Sequence, residues 1–273
     1  MKTINYLTFI GIIFISLISC QKNEMVTEDN NLLVDQEEIT EKIMLELDLI
    51  GEEAIDFQFN LLKSAGGRGV FIGDNCPVIT YEMKGSPKII TLDFGTGCTG
   101  RDGKSRSGKI VIKSSSFENM KATREKTFEN FTVEKRKIEG SIKKTVTIDR
   151  TNFSRVTEVT EDITIIFADG SKAVRKADLT REHNLGALLD RADDQLVTWG
   201  AVETTRPKGV QITKLVTEDN PLVFMASCRQ IVSGVASFST SDGSSWSIDY
   251  GQGDCDGEAA LTRNGETKTI KLK

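Results

Sequence analysis

One pattern in this chain occurs twice and constrains the fold more than any other. Its first copy is Leu92-Asp93-Phe94-Gly95-Thr96-Gly97-Cys98. The second is Ile248-Asp249-Tyr250-Gly251-Gln252-Gly253-Asp254-Cys255, with one extra residue before the cysteine. Upstream of each lie a cysteine (Cys76, Cys228), an apolar stretch and a polar turn: Lys84-Gly85-Ser86-Pro87 in one, Ser241-Asp242-Gly243-Ser244 in the other. Each copy reads as a β-hairpin. Folding the first about residues 85 and 86 brings Cys76 opposite residue 95, three short of Cys98. Folding the second about residues 242 and 243 brings Cys228 opposite residue 257, two beyond Cys255. The two cysteines of each copy thus meet at the open end of their hairpin. This spacing predicts disulfides Cys76–Cys98 and Cys228–Cys255, with neighbouring glycines free to bend the backbone to disulfide geometry. Crossed pairing between the copies is the alternative. A four-cysteine metal site lacks the close spacing such sites use.

The surrounding pattern is that of strands. Trp246, Ile248 and Tyr250 alternate with Ser247 and Asp249, and Ile90, Leu92 and Phe94 follow the same period of two. Asp169-Gly170 and Asn264-Gly265 separate strand-like runs and suit two-residue hairpin turns. Close strand spacing without helical crossovers implies antiparallel pairing. Residues 117–168 are rich in threonine and charge, with sparse apolar positions. That composition fits a broad sheet with one wetted face. Before the strands, Ile39, Ile43, Leu47 and Ile50 recur at spacings of four and three, and Ile55, Phe59 and Leu62 repeat the pattern. Two helices divided at Gly51 and ended by Gly66-Gly67 are expected. The expected fold is mainly β: a large twisted antiparallel meander, half-barrel or barrel-like, with a short N-terminal helical segment packed on it. A two-layer sandwich is the second choice. The expected organisation is a leader over 1–19, a tether over 20–35, a helical segment over 36–67 and a β domain over 68–273.

Composition excludes several functions. A net charge of −5 argues against a nucleic-acid binder held by bulk charge. A single histidine, His183, removes multi-histidine metal sites within one copy.

The first twenty residues concern location. Lys2 is followed by the uncharged apolar run 7–19, too short to span a bilayer and suited to the core of a signal peptide. The run ends in Leu17-Ile18-Ser19-Cys20, which resembles the lipobox read by signal peptidase II. The resemblance implies a thioether-linked diacylglycerol on Cys20, which then becomes the acylated mature N-terminus. Two or more acyl chains anchor stably where one does not. Gln21-Lys22-Asn23-Glu24 looks like the export signal of Bacteroidota surface lipoproteins, although Asn23 stands where that signal usually has an acid. The stretches from Ile90 to Cys98, Arg106 to Ile110 and Ser247 to Cys255, with the closing Asn264-Gly265 hairpin, resemble phrases common in a family of Bacteroidota outer-membrane and surface lipoproteins. The resemblance implies lipid anchoring in the outer membrane, facing the cell surface, with a periplasm-facing anchor as the alternative. It carries no activity, so no functional residue transfers. Assigning Cys20 to lipid leaves an even four cysteines for disulfides in an oxidising compartment.

Other candidate sites are weaker. His183, in Arg181-Glu182-His183-Asn184, has no companion nucleophile motif. Asp254, Asp256 and Glu258 offer three acids in five residues, short of the ligand spread of a calcium loop. Thr99-Gly100-Arg101-Asp102-Gly103-Lys104 is glycine-rich and basic but lacks the phosphate-loop spacing. Trp199, Trp246 and Tyr250 fit core positions better than sugar platforms. The reading is therefore a lipid-anchored envelope protein with no catalytic residue, cofactor or metal. It acts as a non-enzymatic surface binding or structural module for a glycan or an envelope protein. A lipid or lipoprotein carrier with an apolar trough and a carboxylate-based hydrolase are the alternatives.

Overall fold

The computed structural model describes residues 40, 43–44, 46–55, 76–82, 84–149, 151, 154–184, 194–228 and 230–272. The expected leader, the tether with Cys20, and the helical positions Phe59, Leu62 and Gly66-Gly67 lie outside these residues. The chain divides into two units, Met1–Asp48 and Leu49–Lys273. In the first, Ile43, Met44 and Leu47 are helical and buried.

The second unit is one antiparallel sheet. Its strands in chain order are β1 (Val78–Glu82), β2 (Lys88–Asp93), β3 (Cys98–Thr99), β4 (Ser105–Ser114), β5 (Lys121–Val133), β6 (Arg136–Asp149), β7 (Ser154–Ile166), β8 (Lys172–Asn184), β9 (Gln195–Thr205), β10 (Gln211–Val216), β11 (Leu222–Met225), β12 (Gln230–Thr240), β13 (Ser245–Gln252), β14 (Glu258–Arg263) and β15 (Glu266–Lys271). Neighbours follow chain order almost throughout, so the architecture is the expected meander. Among the described residues the path runs from β1 at one end to β15 at the other. β3 pairs only with β4, and β11 bridges β12 and β9.

A local ring of four strands, β9, β10, β12 and β11, has a simple origin. Val216 pairs with Gly200 and Leu222 with Thr198, so residues 217–221 all stand opposite Trp199. β10 and β11 are therefore one strand interrupted by an exposed excursion. The excursion returns at Pro221, whose carbonyl lies where a Cβ of Gly234 would be, and Gly234 has φ +99°. Glycine is the one residue that fits this close approach.

Alternation sets the two faces of the long strands. Glu125, Lys143, Thr160 and Asp178 lie side by side across β5–β8 and are all exposed. One residue along each strand, Lys126, Ile142, Glu161 and Ala177 form the adjacent row, continued by Ile112 on β4 and Val202 on β9, and all six are buried. The threonine-rich middle does carry one wetted face, as expected. Its charged residues, however, are not confined to that face: Lys126, Lys144 and Glu161, with Arg175 just beyond this stretch, are in the core.

Two local expectations are corrected and a third holds. Residues 46–55 form one continuous helix through Gly51. A Cβ there would stand 2.5 Å from Lys126 Nζ, so the glycine admits a lysine against the helix backbone rather than ending the helix. Glycine within a helix costs about 1 kcal/mol relative to alanine. Asp169-Gly170 does not make a two-residue turn. Phe167 N–H bonds Ser171 O at 2.9 Å and Gly170 N–H bonds Phe167 O at 2.9 Å, which encloses three loop residues with Gly170 at φ +80°. Asn264-Gly265 is the two-residue turn expected, with φ +52° and +80°.

Candidate functional site

Both predicted disulfides are present. Cys76 bonds Cys98 with Cα atoms 5.8 Å apart, and Cys228 bonds Cys255 at 5.9 Å. The first hairpin pairs Val78 with Asp93, which extrapolates to the counted register of Cys76 opposite residue 95. The shared motif has one local geometry. Asp93 Oδ1 accepts the N–H of Gly95 at 2.8 Å, and Asp249 Oδ1 accepts that of Gly251 at 2.9 Å. In each copy the carboxylate caps the backbone two residues on and starts the bend toward the cysteine. Both glycines of each pair have positive φ: Gly95 and Gly97 at +58° and +146°, Gly251 and Gly253 at +88° and +118°.

The first clasp carries additional charge pairs. Asp93 also bonds Lys109 Nζ at 2.9 Å on neighbouring β4. The Lys109 ammonium, with the Gly95 N–H, holds the Asp93 carboxyl below its usual pKa, and the same pairing raises that of Lys109. Cys98 pairs with Arg106, a fully buried arginine. Arg106 donates Nη1 to Asp102 Oδ1 at 2.9 Å and Nη2 to Oδ2 at 2.5 Å, a two-pronged pair. Burial pushes the Asp102 pKa up, but bonds from Arg106 and the Lys104 N–H outweigh it and leave the carboxyl below its usual range. The glycine-rich stretch 99–104 is thus the loop that returns Asp102 to Arg106; Gly103 N–H bonds Gly100 O at 3.1 Å, closing a turn.

A second polar cluster lies where residues 49–55 meet the sheet. Gly51, Glu52 and Ile55 line a shallow cavity with Ile112, Arg124, Lys126, Ile142 and Lys144. Glu52 accepts Lys144 Nζ at 3.0 Å and Arg124 Nη1 at 3.4 Å. The Glu52 carboxylate ties this helical turn to two adjacent strands. Further along the sheet, Arg175 Nε donates to Glu161 Oε2 at 2.7 Å, with both side chains at most 5% exposed. No sequence signal singled out Lys126, Lys144, Glu161 or Arg175. Each sits at a strand position whose inward phase becomes visible only once the register is known.

The remaining candidates resolve as follows. His183 lies between Arg155 and Asp194, with Nδ1 and Nε2 each 3.5 Å from a partner atom. Both ring nitrogens are engaged, an arrangement that fixes the ring. The acid at Asp194 was not foreseen; it enters from the far side of the 185–193 connection. Asp256 Oδ1 accepts the Glu258 N–H at 2.9 Å, which makes Asp254, Asp256 and Glu258 a hairpin-base turn, and no group of three or more metal-ligating residues is found among the described residues. Trp246 stacks on Phe238 at 5.1 Å and 4° between planes, with Arg263 of β14 5.8 Å from its ring centre. Trp199, Phe238 and Tyr250 pack against the buried Val216, Leu222 and Ala236. Trp199, Trp246 and Tyr250 are all half-buried, packed at the margin of the core rather than within it. On β1, the buried Tyr81 hydroxyl has no hydrogen-bond partner among the described residues, and burial raises its pKa.

No family model matches the chain, and no curated protein and no solved structure matches it.

Proposed function

We propose that this is a lipid-anchored protein of the bacterial cell envelope, related to Bacteroidota surface lipoproteins, whose sheet is a non-enzymatic binding or structural module. The observation that carries the reading is the cysteine usage. Four of the five cysteines are consumed in two hairpin disulfides, bonds that persist in oxidising compartments. The fifth, Cys20, stands at the end of an apolar run in the lipobox position. The wetted row Glu125, Lys143, Thr160 and Asp178 offers alternating charge and hydroxyl groups over strands of thirteen or fourteen residues. At ~3.3 Å per residue that face is about 43 Å long, a span suited to an extended polar partner such as a glycan or an envelope protein. The charged clusters Arg106–Asp102, Arg175–Glu161 and Glu52 with Arg124 and Lys144 support a structural role for these groups, since each carboxylate is engaged by a cation.

The test is metabolic labelling with an alkyne fatty acid in a host that processes lipoproteins. The native chain incorporates label and fractionates with the outer membrane, while Cys20→Ser does neither. Label retained by Cys20→Ser contradicts the anchor. Protease treatment of intact cells then separates an outward-facing from a periplasm-facing anchor.

A further inference from the structure

We propose that β1 is a self-association edge, pairing antiparallel with β1 of a second copy about a two-fold axis at Thr80. The internal repeat supplies the first argument. β1 and β12 are the corresponding strands of the two disulfide hairpins. β12 is bonded on both sides, to β13 and to β10 and β11. Among the described residues, β1 is bonded on one side only, to β2. Within those residues, the same structural module takes a strand on its outer side in one copy and not in the other.

The second argument contrasts the two edges of the sheet. β15 presents exposed Glu266, Lys268 and Lys271. Charged side chains, lysine above all, protect an edge from pairing. β1 reads Val78-Ile79-Thr80-Tyr81-Glu82, with no lysine, arginine or proline and with Val78 62% exposed. Four of its five residues belong to the types most favoured in strands.

The third argument is register. In an antiparallel pair, opposed side chains share a face. An axis at Thr80 places Thr80 against Thr80, Ile79 against the partner's Tyr81, and Val78 against the partner's Glu82. Ile79 and Tyr81 lie on the face of Leu92 and Ile90, so both inward pairs are aromatic against β-branched and extend the buried face. Aromatic–β-branched and Thr–Thr pairs each contribute favourably across strands, while like charges opposed do not; this register contains both favourable kinds and no like-charge pair. Five residues per side bury less than a permanent interface needs, so the dimer is weak in dilute solution and is strengthened by confinement.

The experiment uses the full chain in mild detergent. Single variants Thr80→Cys, Val78→Cys and Glu82→Cys, with Thr267→Cys on β15 as the control edge, are treated with a short bismaleimide, and the unsubstituted chain sets the background. Opposed Cβ atoms in such a pair are ~5 Å apart, so Thr80→Cys gives a covalent dimer at several-fold higher yield than either Val78→Cys or Glu82→Cys alone. Mixing Val78→Cys with Glu82→Cys restores the yield. Sedimentation equilibrium of the full chain shows a weight-average mass that rises with concentration, and Thr80→Lys, an exposed position that opposes two lysines, removes the rise. Equal yield at all four positions, adducts of Thr80→Cys with a protein of another mass, or a mass independent of concentration overturns the proposal.

Discussion

The two disulfide hairpins share a sequence motif, an Asp-capped bend and a pair of positive-φ glycines, yet they are held in different ways. The Cys76–Cys98 hairpin forms the edge of the sheet and is stapled by charge: Asp93 to Lys109 and Asp102 to buried Arg106. The Cys228–Cys255 hairpin lies inside the sheet and is held by apolar contact: Ala236 among Val216 and Leu222, and Phe238 stacked on Trp246. Position 109 faces Asp93, whereas Ala260 faces Asp249, so the second copy has no counterpart of the first ion pair. The first hairpin packs apolar side chains too, with Ile90, Leu92 and Phe94 buried, whereas Trp246, Ile248 and Tyr250 of the second are half-buried. What distinguishes the first is the directional polar bonds added to that packing.

The comparison breaks most readily at Asp102. Asp102→Ala leaves the Arg106 guanidinium buried without its carboxylate, and losing one partner of a buried pair costs about 3–5 kcal/mol. Urea unfolding should report that loss, whereas Asp249→Ala in the second hairpin should cost much less; equal losses would remove the distinction between the two clasps. Next come the disulfides. Loop separations of 22 and 27 residues are close enough that the chain-entropy contribution is about 3.5 kcal/mol for either. The locations of the damage should differ. Replacing Cys76 and Cys98 by serine should speed hydrogen exchange mainly in β1 and β3, while the Cys228 and Cys255 pair should speed it from β10 to β15. A uniform response would argue against the edge and interior assignment. Third, Trp246→Ala removes a half-buried ring stacked on Phe238 and should cost roughly 2 kcal/mol, below the range for fully buried aromatics. Phe94, at the motif position of Tyr250, is the aromatic to compare in the first hairpin, a buried ring 5.5 Å from that of Phe131.

The smallest effect is one of pH. Asp93 and Asp102 both have folded pKa values below their ordinary ones. Such a carboxylate stabilises the fold above the unfolded pKa, near 3.9, and that contribution disappears as pH falls through the lower folded value. Melting temperature should therefore fall on acidification below about pH 4, and Asp93→Asn with Asp102→Asn should flatten that acid limb. The share from Asp93 should shrink in high salt, because its pair with Lys109 is solvent-screened. An acid limb unchanged in the double variant would show that these carboxylates do not set it.

Much of the clasp was legible in the residues themselves. Counting outward from Gly85-Ser86 gave the register at Cys76, because a tight turn fixes every pair beyond it. The meander was legible from strands too close together for crossovers. What escaped has a common cause. Lys126 and Glu161 read as surface charge, because an alternating pattern reveals two faces but not which one a neighbouring element covers. Gly51 read as a helix stop, since its role is to admit Lys126 from a strand far along the chain. That residues 217–221 interrupt a single strand opposite Trp199 is visible only from the partners Thr198 and Gly200. The part of the site that depends on long-range contact was thus invisible in one sequence, while the part set by local turns was not.

Intact-mass measurement of the protein extracted from its own membranes decides whether Cys20 is the lipidated N-terminus. The mass expected is that of a polypeptide beginning at Cys20, heavier by a diacylglyceryl and an acyl group, and lighter by four hydrogens for its two disulfides. A chain that still carries residues 1–19, without acyl mass and with all five thiols reduced, would contradict it.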